Sequence, residues 1–260
     1  MTQANTTVVD ALFEAFKQHE PIDFVSQTHN ISEREAYQTQ DLLIDKLQDV
    51  DQSNIAGYKV SMTSAATQSI ANTDEPAYGT ILSSKIVESN GSVSLSSLFS
   101  PLIEPEIMFI LTKDLSSNPT NEEVLSSVKI APGIEIPDAR YKNWFPNFTL
   151  GDLLADNTAT GLIVVGETID PLSYEDFANI HMKLSYNGIV EHEGDSTEVL
   201  GNPVESVKWL AQKLATHDKK LHKGHIISSG TFISPIPVEL GSYKAEYSDD
   251  VGQVDVTFVD

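Results

Sequence analysis

Hydrophobic and polar residues change their rhythm once along this chain, near Gly57. Before that point the spacing is helical. In ISEREAYQTQDLLIDKLQDV, Ala36, Leu43, Leu47 and Val50 recur at helical intervals, and Ser32 with Glu35 has the spacing of a capping box. An earlier helix is predicted over residues 8–17. Beyond Gly57 the texture turns to short β-like runs broken by Gly, Pro, Asn and Ser, at 58–62, 107–111, 128–136 and 162–165. One later helix is well marked: Asn202 stands at its cap, Pro203 in its first turn, and Val207, Leu210, Ala211 and Leu214 form its apolar stripe. At the C-terminal end Val254, Val256 and Phe258 alternate with Asp255 and Thr257, a strand with one apolar face. The pattern predicts an α+β protein, with a helical region over 1–55 and a β-rich domain over 56–260 crossed by one helix. No internal repeat or low-complexity tract interrupts it.

Composition narrows the chemistry. The 260 residues are 40% hydrophobic and 21% charged, the balance of a folded protein. There are no cysteines, which excludes disulfides, thiolate metal sites and a cysteine nucleophile, and fits a reducing compartment. Sixteen Lys and Arg against 38 Asp and Glu give a formal net charge of −22. Such a field repels nucleic acid, and an anionic substrate would need a local cation to enter. The first residues lack the basic start and apolar core of a secretory signal, and no apolar run approaches the roughly 18 residues of a membrane span. A soluble cytoplasmic protein is the expectation.

Against that acidic background, SPLIEPEIMFIL is unusual. Glu104 and Glu106 sit one residue apart in an apolar, strand-like run, so both carboxylates lean to the same face. Side by side they repel unless a cation lies between them, either a divalent metal or a lysine; the bland reading is a hydrated edge. A third glutamate, Glu135, lies in APGIEIPDAR, followed by Asp138 and Arg140. Three carboxylates are a hard-oxygen donor set suited to Mg²⁺ or Mn²⁺, with positions left open for substrate. Lys59, in GYKVSMTS, is a surface lysine on an alternating strand unless it points inward beside the glutamates, where it becomes an acid/base candidate. Asp156 and Asn157, in LLADNTATG, read as a helix or turn start. His222 and His225, in LHKGH, have no partner ligand at zinc-site spacing and read as a surface turn. EHE, between Gly188 and Gly194, reads as a solvated hairpin. No nucleophile elbow, phosphate loop or dinucleotide fingerprint is present.

Taken in order, AGYKVSMTS, EPAYGTI, EPEIMFIL, IEIPDAR, LADNTATGLIVVG, LGNPVESVKWLAQKLA and KGHIISSGTFISPIPV resemble 2-hydroxypenta-2,4-dienoate hydratases and 4-oxalocrotonate decarboxylases of the fumarylacetoacetate-hydrolase-like superfamily. The resemblance implies a small N-terminal helical region packed on a mixed β-roll, assembled into homo-oligomers that can work in complex with a partner pathway enzyme. It implies Glu104, Glu106 and Glu135 as ligands of Mg²⁺ or Mn²⁺, and Lys59 as the active-site lysine. Asp74, Asp156, Asn157 and Thr231 are the candidate substrate-binding residues. The implied activity is a metal-dependent lyase acting on a small 2-oxo or 2-hydroxy-dienoate. Hydration of a 2-hydroxy-2,4-dienoate to a 4-hydroxy-2-oxo acid is the first expectation; decarboxylation of a 4-oxalocrotonate-type acid, or reaction of another 2-oxo acid, is the alternative. One departure favours the alternative: the hydratases typically carry aspartate after the proline of the P-x-Y/F-G motif, where this chain has Ala77. LADNTATG also lacks the serine common in that stretch of the hydratases. Hydrolytic C–C cleavage would be expected to use a histidine–acid pair on the N-terminal side, and neither His19 nor His29 has an acid at motif spacing. A metal-dependent binding protein without turnover is the non-enzymatic reading.

Overall fold

The helical opening and the β-rich remainder meet where the pattern changes. A computed structural model describes residues 3–260. Helices α1 (Gln3–Gln18) and α2 (Glu33–Asp51) precede β1 (Ile55–Ser61). There follow α3 (Ala65–Ala71), β2 (Ala77–Leu82), β3 (Ile86–Glu88), β4 (Gly91–Ser94), β5 (Leu102–Leu111), α4 (Asn121–Leu125), β6 (Val128–Ile136), α5 (Leu150–Ala155) and β7 (Leu162–Val165). The chain closes with α6 (Tyr174–Phe177), β8 (His181–Tyr186), β9 (Ile189–Asp195), α7 (Pro203–Ala215), β10 (Ile226–Thr231), β11 (Ile236–Pro237), β12 (Gly241–Tyr247) and β13 (Gly252–Val259).

Two mixed sheets form the roll. The larger runs β2-β1-β10-β5-β6-β7-β3, with β11 added to β5; the smaller runs β4-β13-β12-β8-β9. Strands β12 and β13 pack on β6, and β13 also on β7. Helix α7 covers β10, and α2 packs against α1, α5 and β2. Tyr247 of β12 ties the sheets together, its hydroxyl donating to the carbonyls of Glu106 (2.9 Å) and Gly133 (2.8 Å). The α+β architecture is therefore the expected one.

Local signals explain most boundaries. Ser32 accepts from the Glu35 amide while Glu35 accepts from the Ser32 amide at 3.1 Å, a reciprocal cap worth ~1 kcal/mol. Ala36, Leu43 and Leu47 are buried, but Val50 is 52% exposed, since the last turn of α2 runs past the core. Asn202 caps α7 as its sequence implies. The hairpin near EHE turns earlier than expected, at Asn187–Gly188; Glu191 and Glu193 lie exposed on its returning strand.

Strand β5 begins five residues before the run at 107–111, and Pro105 sits inside it. Proline lacks the N–H that a central strand needs. The Pro105 carbonyl accepts from Phe232, so its missing donor faces β10, where the ladder shifts register between Ser228 and Thr231. The gap in donors coincides with the gap in the ladder.

Candidate active site

The antiparallel ladder of β5 and β6 sets Glu104 opposite Glu135 and Glu106 opposite Gly133. Cross-strand partners share a face, as do i and i+2, so all three carboxylates converge. One oxygen from each lies within 4.8 Å of the others. Glu106 and Glu135 are fully buried and Glu104 is 7% exposed. On the same face, Lys59 of β1 stands opposite Ser228 of β10, and Ser228 opposite Met108 of β5. Lys59 is 1% exposed, and its Nζ lies 2.9 Å from Glu135 Oε1. The hydrated-edge and surface-lysine readings do not describe this arrangement.

Hydrogen bonding in the cluster is conspicuously incomplete. Glu106 Oε2 accepts from the Ser228 hydroxyl and from the Gly230 amide at 2.8 Å. Among the described residues, its Oε1 has no hydrogen-bond partner, and neither has Glu135 Oε2. Burial, then the Glu135 charge, push the Glu104 carboxyl up to about 8, against a downward pull from Lys59. Burial and both neighbouring glutamates raise Glu106 well above the usual carboxylate range, its bonds to Ser228 and Gly230 opposing them. Three carboxylates against one ammonium leave two negative charges. A divalent cation matches that charge, the hard oxygen donors and the orphaned lone pairs, so the residues present fit Mg²⁺ or Mn²⁺.

Lys59 and Glu104 line a cavity whose further wall is Met62, Ile70, Trp144, Phe145, Phe148 and Leu153, with Ser61, Thr63, Thr67, Thr158 and Thr231 also in the lining. Thr158 and Ala159 belong to an unusual turn. Asn157, Thr158 and Ala159 all have φ near +50°, a left-handed run costing about 1–2 kcal/mol per residue. Surrounding bonds hold it: Asn157 exchanges two hydrogen bonds with the Thr80 backbone (2.7 and 2.9 Å), and the Thr158 hydroxyl donates to the Tyr78 carbonyl at 2.5 Å. Gln40, buried on α2, donates to the same carbonyl and to that of Leu154, both at 3.1 Å. Strain of this kind persists only where the surrounding structure holds it in place.

The candidate substrate-binding residues divide. Thr231 ends β10 opposite Glu106 and lines the cavity. Asp74, Asp156 and Asn157 are not brought to it. Asp74 is exposed in the turn between α3 and β2. Asp156 is fully buried against Arg140, accepting from its amide at 2.8 Å and from its Nε, while Arg140 Nη2 donates to the Asp156 carbonyl at 2.7 Å. Asn157 is committed to β2 by the bonds just described. Ala77 is buried at the start of β2, paired with Ser61 of the cavity lining. His222 is exposed and faces Asp114 at 3.2 Å, far from being a zinc cluster. Sequence reading missed Ser228, Gly230 and Tyr247, which hold Glu106 and its strand, and the aromatic wall. SSG at 228–230, small and polar in an apolar strand, was the available signal for the first two.

Buried, converging carboxylates and one lysine on a mixed β-roll define a metal-centre type of site. The chain belongs to the fumarylacetoacetate (FAA) hydrolase C-terminal family, whose model matches residues 52–249. It is 31% identical over 264 residues to the 2-oxo-hept-4-ene-1,7-dioate hydratase of Escherichia coli, covering 98% of each chain. It is also 31% identical over 186 residues to a 4-oxalocrotonate decarboxylase of Pseudomonas sp, covering 71% of each. Among solved structures, the 4-oxalocrotonate decarboxylase of Pseudomonas putida G7, complexed with magnesium and adipate, superposes with a TM-score of 0.90 at 26% identity, covering 100% of this chain and 99% of that one.

Proposed function

We propose that this protein is a metal-dependent lyase that hydrates a 2-hydroxy-2,4-dienoate to a 4-hydroxy-2-oxo acid. The observation that carries the reading is the trio Glu104, Glu106 and Glu135, buried with unpartnered oxygens beside Lys59. Hydratases and a decarboxylase among its relatives support the lyase class. The trio would hold Mg²⁺ or Mn²⁺, which when bound supplies Lewis-acid stabilisation to negative charge developing on the substrate's 2-oxygen.

The protein's own groups do the rest. Ketonisation shifts the double bond into conjugation with the 2-oxo group and leaves C4 electrophilic, and water adds there. Lys59, held through Glu135, is placed to move the proton that these steps exchange with the carbon chain. The Ser61 and Thr63 hydroxyls of the lining can hold the attacking water. Thr231 supports the wall by donating to Ile233 O at 3.0 Å. Asp156 and Asn157 serve by bracing the strained turn rather than by touching substrate, and Asp74 stands exposed outside the cavity lining. We read 1–55 as the helical region and 56–260 as the catalytic domain. We also read the protein as a cytoplasmic homo-oligomer beside a partner pathway enzyme; exposed Ile189 and Val190 on edge strand β9 support an interface between copies.

Ala77 favours a second reading, decarboxylation of a 4-oxalocrotonate-type acid at the same centre. Ultraviolet progress curves with Mg²⁺ or Mn²⁺ separate the two. Loss of 2-hydroxypenta-2,4-dienoate with 4-hydroxy-2-oxopentanoate as product is the expected result. CO₂ release from 4-oxalocrotonate alone would transfer the assignment to the decarboxylase, and silence with both would reject it.

A further inference from the structure

Among the described residues that line the cavity, Lys59 is the one cationic side chain, and it is already paired with Glu135. Away from Lys59 and Glu104 the wall is apolar or hydroxylic. Trp144 and Phe148 stack at 5.9 Å, and Phe145 stands edge-on to Trp144 at 5.6 Å. The Trp144 indole N–H is already donated to the Ser100 carbonyl at 2.8 Å. The Thr67 hydroxyl donates to Ser64 O and that of Thr158 to Tyr78 O. Nothing in this wall offers a second carboxylate the paired cation that a buried anion needs. The overall charge of −22 adds a repulsive field for each further negative group on the ligand.

We infer that the site selects 2-oxo acids whose end remote from the 2-oxo carboxylate is uncharged and apolar, and rejects the corresponding diacids, with Ile70, Trp144, Phe145 and Phe148 as the specificity-determining wall. The inference rests on the reading of the carboxylate trio as the anchor for a 2-oxo carboxylate, and it goes beyond that reading by fixing the substrate's other end. It separates this chain from relatives that act on dioates, whose second carboxylate must be met by a cation or by solvent. An alkyl or aryl tail would instead lie against the aromatic faces and displace water from them.

Calorimetric titration of the Mn²⁺-loaded protein tests it without turnover. The probes are pyruvate, 2-oxohexanoate and 2-oxoadipate, the last two matched in carbon count and differing in the terminal group. The expected result is 2-oxohexanoate binding about a hundredfold more tightly than 2-oxoadipate. Ile70→Arg should lower that ratio at least tenfold by supplying the absent cation, and Phe145→Arg is the second variant should the first fail to fold. Equal or tighter binding of 2-oxoadipate to the unaltered protein overturns the inference whatever the variants do. Pyruvate binding with neither longer acid binding also overturns it, since the wall would then admit no tail. Failure of all three, pyruvate included, rejects the underlying reading of the anchor.

Discussion

Arg140 and Asp156 are buried as deeply as the glutamate cluster, yet the two regions resolve their charge in opposite ways. Asp156 accepts from the Arg140 amide and Nε, and Arg140 returns a bond to the Asp156 carbonyl. Burial raises the Asp156 carboxyl to about 6 even so, with Arg140 pulling the other way. Both members are satisfied by protein groups, and together they join the end of α5 to the segment after β6. Glu104, Glu106 and Glu135 have one ammonium among them and oxygens that no group of the described residues meets. Polar groups left unmet inside a protein raise the free energy of the fold, so their retention points to a partner from outside the chain. A closed charge account marks scaffold; an open one marks function.

The contrast breaks most visibly at the scaffold. Arg140→Ala strands Asp156 without its cation and should destabilise the protein by about 3–5 kcal/mol in urea denaturation. Replacing both residues by leucine should recover most of that loss. Equal damage in single and double variants would show that the pair does not behave as a closed unit.

At the open cluster the expectation differs. Glu106→Gln replaces a carboxyl that burial and its neighbours already push toward the neutral form, so the metal-free protein should be about as stable as the parent. Mg²⁺ or Mn²⁺ at a hundredfold excess over its Kd should add ~2.7 kcal/mol to the parent and little to the variant, read by thermal melts with and without chelator. A metal-independent melting temperature in the parent would return the cluster to an unexplained acidic core. Ser228→Ala, which deprives the buried Glu106 carboxyl of a donor, should cost the metal-free protein about 1 kcal/mol.

An exposed triad calibrates both. His181 lies 2.8 Å from Asp195 and 3.1 Å from Glu193, and its hydrogen bond to Asp195 is the main cause that raises its pKa. The contribution is complete below the unfolded value of about 6.5 and is lost as pH rises through the folded value. With the side chains 39–67% exposed, His181→Gln should cost under ~0.5 kcal/mol at pH 6 and progressively less as pH rises.

Much of the fold was legible because it is local. Residues 128–136 and 162–165 match their strands, and Asn202–Pro203 opens α7, because alternation and capping are written within a few positions. Pro105 hid the start of β5, since nothing local announces an interrupted neighbour ladder. Glu104 and Glu106 were visible as a same-face pair for the same reason that alternation is. The partners of Asp156 were not: IPDAR and LADNT meet only through the packing of α5 on the segment after β6. The wall from Trp144 to Phe148 was equally silent, since aromatic residues in a loop give no period, and Ser228 reaches Glu106 only across a strand pairing far apart in sequence.

The β5–β6 ladder also bears on time. Its strands are joined by residues 112–127, so Glu104, Glu106 and Glu135 are gathered by closure of one short loop, whereas Lys59 arrives from β1 through the later placement of β10. The shorter closure favours a meeting of the three carboxyl groups before Lys59 joins them. Registration of this hairpin is the step that brings the three acidic groups together, and a cation in the refolding buffer would act there on a rate as well as on the equilibrium.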